Sequence, residues 1–389
     1  MAKQVRREFR APPVIHVGCG ALSQIRDVVH ELGSSRAVLI SDRVMGSSGW
    51  IGRIADLVAE SGVTISVQAD LDGEPTTSDV DAALTVIRKA NADVVIGFGG
   101  GSALDTAKTA AVLHTNRGQV ADFEGYERVP EAATPVIAIP TTSGTGSEVT
   151  RGAAITDSSR DVKMLLMSKY LVPRAAIVDP EPTFSMPPHV TASTGLDALT
   201  HGIEAYVSRR RFPLTDALAI DAIDRISRFL SRAYHHPDDV EAREEMLVAS
   251  LHAGLAFHNA SVALIHGMSR PIGAYFHIPH GLSNAMLLST VMEFSVEGDV
   301  SRYGRIARTL GAKQRNDSAA AAAGVEIVRE LATELGVPTL REWGVKEAQF
   351  SAVMDKMAHD AISSGSPANN PRKATHADIV ALYKAVIDV

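Results

Sequence analysis

Four short strand-like runs, three of them followed by a helical stretch, constrain this chain more than anything else in it. They are RAVLISD at 36–42, VTISVQA at 63–69, DVVIGF at 93–98 and PVIAIP at 135–140. Helical patterns occupy Trp50–Glu60 and Ser78–Asn91 and resume at Ser102. Continuous apolar runs describe strands buried on both faces. Strands alternating with helices predict a parallel α/β sheet with right-handed crossovers and helices on both sides. AAIVDP at 175–180 adds a further strand, and 153–167 reads as an extended excursion. Ligands of such sheets lie at the carboxyl ends of the strands, so the residues just after each run carry the information.

After the third run come Gly99, Gly100, Gly101, Ser102 and, three residues on, Asp105. Glycines without Cβ atoms let a phosphate approach the backbone, and a helix starting at Ser102 offers free N–H groups and a positive dipole end. Ser102 with Asp105 also fits a helix capping box, and a tight strand–helix turn without ligand fits the same residues. After the fourth run comes TTSGTGSE, whose Thr141, Thr142, Thr145 and Ser147 suit hydrogen bonds to a diphosphate, a ribose or a nicotinamide amide. A solvated Ser/Thr/Gly loop has the same composition. Asp42 ends the first run. A carboxylate there accepts hydrogen bonds from an adenosine ribose and repels a 2′-phosphate, which favours NAD over NADP; it equally suits a turn.

From Pro187-Pro188 the pattern changes. Segments 189–208, 213–234, 238–259, 261–274, 281–295, 297–310, 316–336, 346–360 and 375–387 all read as helices. The expected organisation is a dinucleotide-binding domain over residues 1–187 and an all-helical domain over 188–389, with the active site in the cleft between them. Asp197 and His201 are four residues apart in the first of these segments, on one helical face. His266 and His280 flank a stretch containing Pro271, Gly273 and Pro279. One carboxylate and three imidazoles suit a divalent metal such as Zn²⁺ or Fe²⁺ with an open position for a substrate oxygen. The alternative is that Asp197 pairs with Thr194 in a capping box and that the histidines, among fourteen in the chain, are ordinary helix-end residues.

Net charge is −7, which argues against a nucleic-acid-binding surface. Cys19 is the sole cysteine, so neither a disulfide framework nor a thiolate metal cluster is available. The basic start MAKQVRREFRAPP lacks an apolar core after it, and no run of eighteen apolar residues exists. The expectation is a cytoplasmic protein with no secretory signal and no membrane span.

Taken in order, GGGSALDTAK, TTSGTGSEVT, Lys163, AAIVDP, GLDALTHGIEAY, the Phe257–Ala260 stretch, HGM…PHG with Asn284, and NPR resemble the iron-containing (group III) alcohol dehydrogenase family over nearly the whole chain. The resemblance implies a Rossmann-like parallel-sheet domain and an all-α metal-binding domain, a plan shared with dehydroquinate synthase. It implies that Asp197, His201, His266 and His280 ligate Fe²⁺, or Zn²⁺ or Mn²⁺. It also implies that Gly99–Ser102 and Thr141–Thr145 line the NAD site, with Asp42 at the adenosine ribose and Lys163 near the nicotinamide ribose. Asp105 and Ser147 are counted with the same cofactor-binding set, and Phe257 would wall the substrate pocket. The implied activity is hydride transfer between nicotinamide and a small alcohol or aldehyde, in a homo-oligomer. Rival readings are an NAD- and metal-dependent lyase resembling dehydroquinate synthase and a nucleotide-binding protein without catalysis.

One position departs from the family. Many members carry a second histidine four residues after the third ligand, and here that residue is Arg270. Arginine stays protonated and shuttles no proton near neutral pH, but it grips anions bidentately. The readings are a substrate bearing a carboxylate, sulfonate or phosphonate, or an ion pair within the fold. His277 is the candidate for taking over proton transfer.

Overall fold

The computed structural model describes residues 7–160 and 162–388. It divides into two compact units, Ala11–Met186 and Pro187–Val389, and residues 7–10 belong with the second. Arg10 is tied there by its N–H to Asn259 Oδ1 (2.7 Å) and by its carbonyl to Asn259 Nδ2 (3.0 Å).

In the first unit the strands are β1 (Val14–Val17), β2 (Arg36–Asp42), β3 (Thr64–Leu71), β4 (Val94–Gly99), β5 (Gly125–Tyr126), β6 (Val136–Pro140), β7 (Gly152–Asp157), β8 (Val162–Met167) and β9 (Ala175–Val178). The helices are α1 (Ile25–Glu31), α2 (Arg43–Gly46), α3 (Trp50–Glu60), α4 (Thr77–Ala90) and α5 (Gly101–Thr115). Six strands form one sheet in the order β1-β9-β6-β4-β2-β3, every neighbouring pair parallel. Alternate residues of β2 serve two cores: Val38 and Ile40 pack with α4 and α5, Ala37 and Leu39 with α1 and α3. This two-sided burial is why these strands read as unbroken apolar runs. The excursion at 153–167 is the antiparallel hairpin β7–β8, to which β5 adds in parallel.

The topology locates a crevice. From β2 the chain moves outward to β3, then returns to place β4 on the other side of β2 and continues through β6. The order therefore reverses between β2 and β4, whose carboxyl ends are Asp42 and Gly99.

The second unit holds α6 (Pro188–Val207), α7 (Pro213–His235), α8 (Val240–Ala260), α9 (Leu264–Phe276), α10 (His280–Val296), α11 (Val300–Thr309), α12 (Asp317–Glu334), α13 (Glu347–Ser363) and α14 (His376–Asp388). No strand occurs among its described residues. α6 is buried continuously from Gly195 to Val207, as expected of a helix enclosed by others. No single helix is long and apolar enough to cross a membrane among the described residues. One pair bent by 103°, α8 with α9, is long and apolar enough when taken together, and both helices are largely buried in the helical core.

Candidate metal and nucleotide sites

The buried length of α6 puts Asp197, His201 and Glu204 on one side of the helix, at i, i+4 and i+7. Because α6 starts at Pro188, Thr194 and Asp197 lie inside it and no capping box forms there. His266 comes from the first turn of α9. His201 Nε2 and His266 Nε2 are 2.9 Å apart, and Asp197 Oδ1 lies 3.9 and 3.8 Å from them. All three residues are at least 95% buried.

Glu204 orients this group. Its carboxylate accepts from the N–H groups of Ala263 (2.8 Å) and Ile265 (2.6 Å), capping α9, and from His266 Nδ1 (2.7 Å). With its proton on Nδ1, His266 turns the Nε2 lone pair towards His201 and Asp197. Burial holds His266 well below the usual imidazole range, aided by the nearby charges of His201 and Arg270, so the ring is a neutral donor. Burial pushes Glu204 up to about 7 against the pull of the N–H donors.

The Asn284 amide nitrogen donates to Asp197 Oδ1 at 2.7 Å and lies 3.2 and 3.3 Å from the Nε2 atoms of His266 and His280. His280 begins α10 after the turn made by His277, which ends α9 with φ of 52°, and Pro279. Its ring centroid is 5.3 Å from that of His266. A carboxylate oxygen and two imidazole nitrogens thus converge in a buried, acceptor-rich space, with the His280 ring beside them but outside this close group. Their mutual spacings suit ligands each about 2.0–2.2 Å from one divalent ion. The residues present fit a metal. Phe257 stacks on His201, with 4.0 Å between centroids and 14° between planes, and covers one side of the group. Half-buried Arg270 bonds Ser366 Oγ at 3.0 Å. His277 is exposed and makes no hydrogen bond to the cluster among the described residues.

In the first unit Asp42, the glycine turn from Gly99 and the Thr141–Thr145 loop meet at the reversal point. Asp42 caps α2, its Oδ1 accepting from Met45 N–H at 2.9 Å. Its Oδ2 lies 2.8 Å from where a Cβ on Gly99 would stand, and Gly99 has φ of +149°, so only glycine fits there. A Cβ on Gly101 would meet Thr145 Cγ2 at 2.9 Å, so the glycine loop rests directly against the Thr141–Thr145 loop. Thr141 N–H bonds Gly99 O at 3.0 Å. The N-cap of α5 is Gly100 and carries no side-chain cap, which corrects the expected Ser102–Asp105 box. The first N–H groups of the helix are therefore left for a ligand or solvent.

Asp105 instead turns to Ser147 Oγ (2.5 Å) and Ala154 N–H (2.8 Å). Buried Lys108 ties the same loop, donating to Ser147 Oγ (2.7 Å), Ser147 O (3.0 Å) and Gly152 O (2.5 Å), with Asp105 at 3.0 Å. Asp105, Lys108 and Ser147 thus form a brace that sets the shape of the loop. Lys163, on β8, pairs with Glu74 at 2.6 Å. Glu148 is buried beside this brace, with one oxygen lacking a hydrogen bond, and burial pushes it up to about 7.

Sequence reasoning did not single out Glu204, Lys108 or the bond made by Asn284. The helical spacing of Glu204 from His201 and of Asn284 from His280 was the available signal.

Models of the iron-containing alcohol dehydrogenase family match residues 12–180, and of its C-terminal region residues 191–387. Alcohol dehydrogenase 4 of Saccharomyces cerevisiae (strain YJM789) is 36% identical over 379 residues, covering 97% of each chain. Among solved structures, a 1,3-propanediol oxidoreductase superposes with a TM-score of 0.94 at 31% identity, over 98% of this chain and 100% of that one. Sulfoacetaldehyde reductase from Bifidobacterium kashiwanohense, in complex with NAD+, superposes with a TM-score of 0.89 at 30% identity, over 99% and 100%.

Proposed function

The chain belongs to the iron-containing alcohol dehydrogenase family, whose members interconvert alcohols and aldehydes with NAD, and from that premise we propose how its own residues divide the work. Asp197, His201, His266 and His280 hold a divalent metal, Fe²⁺ by preference, with Zn²⁺ or Mn²⁺ as substitutes. The observation that carries this is the buried approach of Asp197 Oδ1 and the two Nε2 atoms, with His266 fixed from behind by Glu204. A metal there supplies Lewis acidity that stabilises developing alkoxide charge, and NAD supplies the hydride chemistry.

The other roles belong to the protein. Glu204 sets the tautomer of His266, and Asn284 orients Asp197 through its amide. Phe257 excludes water from the face of His201. At the sheet, Asp42 meets the adenosine ribose, while Gly99–Ser102 and the Thr141–Thr145 loop take the diphosphate on the free N–H groups of α5. Asp105 and Ser147 act by holding that loop in place, and Lys163 lies towards the nicotinamide ribose. His277, exposed at the turn into α10, is the candidate for proton exchange with solvent. The named relatives act on a short diol and a short aldehyde, and we assign this enzyme a small alcohol or aldehyde substrate. Unit Ala11–Met186 is taken as the nucleotide domain and Pro187–Val389 as the metal domain. A homo-oligomer in a reducing cytoplasm is in keeping with the family and with a chain holding one cysteine.

The test is NADH absorbance after metal-stripped protein is reloaded anaerobically with Fe²⁺ or Zn²⁺ and given short alcohols and aldehydes. Metal-dependent net NADH formation or consumption is expected, and Asp197→Ala loses both metal and turnover. Full metal content in that variant contradicts the ligand assignment. Metal and NAD binding without net NADH change contradicts the dehydrogenase reading and favours a lyase that recycles its NAD.

A further inference from the structure

Arg270 follows His266 by one turn of α9, so the two side chains leave the same face of the helix. Of its five N–H donors, one is used among the described residues, by the 3.0 Å bond from Nη1 to Ser366 Oγ. The acid whose charge reaches it is Glu204. The oxygens of Glu204 are already taken by Ala263, Ile265 and His266. Arg270 is thus a half-buried cation without an ion pair among the described residues, one turn from the metal-ligand candidates.

Its position is built. A Cβ on Gly267 would stand 2.7 Å from Pro367 Cγ, so the absence of that atom lets the Ser366–Asn369 turn press onto α9 and brings Ser366 to Arg270. An excess of guanidinium donors held in place beside a reaction centre matches a planar or tetrahedral anion.

We propose that Arg270, positioned by Ser366, binds an anionic group on the substrate, so that the preferred aldehydes carry a carboxylate, sulfonate or phosphonate one or two carbons from the carbonyl carbon. The spacing follows from neighbouring turns of a helix, whose side chains start about 5–6 Å apart. The inference rests on the reading of the Asp197–His201–His266 cluster as the place where the substrate oxygen is held. A neutral aldehyde of equal length leaves the guanidinium donors facing an apolar tail, and such a mismatch discriminates strongly.

The experiment compares kcat/KM of metal-loaded enzyme for sulfoacetaldehyde and succinic semialdehyde with that for propanal and butanal, in wild type, Arg270→Met, Arg270→Lys and Ser366→Ala. Wild type is expected to prefer the anionic member of each pair. In Arg270→Met the loss on anionic aldehydes exceeds the loss on neutral ones by about 10- to 100-fold, the range of a charged hydrogen bond. Arg270→Lys, which keeps the charge without the fork, falls between. Ser366→Ala raises KM for anionic aldehydes more than for neutral ones. Binding is read independently of turnover by saturation-transfer NMR of ethanesulfonate, expected with wild type and lost in Arg270→Met. Wild type that turns over neutral aldehydes and ignores anionic ones, or equal losses on both classes in Arg270→Met, overturns the anion site while leaving the dehydrogenase reading intact. Absence of turnover on both classes overturns that reading itself.

Discussion

Two buried glutamates show how the same side chain is used in opposite ways. Glu204 accepts three N–H groups and spends its carboxylate on the orientation of His266. Glu148 has a buried oxygen with no hydrogen bond, and burial pushes it from an ordinary 4.5 up to about 7. Between those values the unfolded chain has released a proton that the folded protein retains, so folding loses roughly 1.4 kcal/mol per pH unit there. The favourable contribution is complete below 4.5 and is lost as pH rises through about 7. Glu148→Gln cannot ionise and escapes the loss. Its stability is expected to equal that of the wild type below about pH 4.5, to gain on it up to about pH 7 by roughly 3 kcal/mol, and to keep a constant margin beyond. Urea titrations at stepped pH measure this. A margin independent of pH would show that Glu148 stays ionised when folded.

At the scale of elements, the ligand candidates meet because helices approach closely where side chains are missing. Gly281 follows His280 in the first turn of α10. A Cβ there would lie 2.7 Å from the Ser193 carbonyl oxygen and 3.2 Å from Asp197 Cβ. The obstacle is backbone, which cannot swing aside, so Gly281→Ala must push α10 away from α6. Overpacking of this kind costs about 1–3 kcal/mol. The displacement also moves His280 and Asn284 from Asp197. Thermal denaturation without metal is expected to show the loss of stability, and chelator competition a weaker metal affinity. Unchanged values in both would mean that α10 does not need this contact.

For the molecule as a whole, the residues proposed for the two ligands fall in different compact units, the metal-ligand candidates in Pro187–Val389 and the nucleotide candidates in Ala11–Met186. A ligand stabilises what it binds by RT ln(1 + [L]/Kd), about 2.7 kcal/mol at 100 times Kd. Hydrogen exchange should therefore show metal protecting α6, α9 and the start of α10, and NAD protecting the 99–106 and 141–150 segments. Protection by NAD confined to the helical unit would contradict the nucleotide assignment. Much of this plan was legible in the chain itself. Unbroken apolar runs identified β2, β4 and β6 because strands buried on both faces need no polar alternation. The nine helices among the described residues of the second unit declared themselves through 3.6-residue periodicity, and Asp197 with His201 through i, i+4 spacing. Local patterns of this kind report local geometry. β1, four residues of mixed burial at a sheet edge, and the seven-residue α1 carry too little pattern to be seen. The capping box at Ser102 failed for a different reason. Asp105 is claimed by Ser147, Ala154 and Lys108, all brought to it by the fold. The part played by Glu204 was likewise decided in three dimensions, since its partners lie about sixty residues away and only the crossing of α6 and α9 brings them within hydrogen-bond reach. The sequence by itself determined which residue types stand on which face of each element. Which buried donor meets which acceptor was settled by packing, because that pairing depends on contacts between segments that no local period encodes.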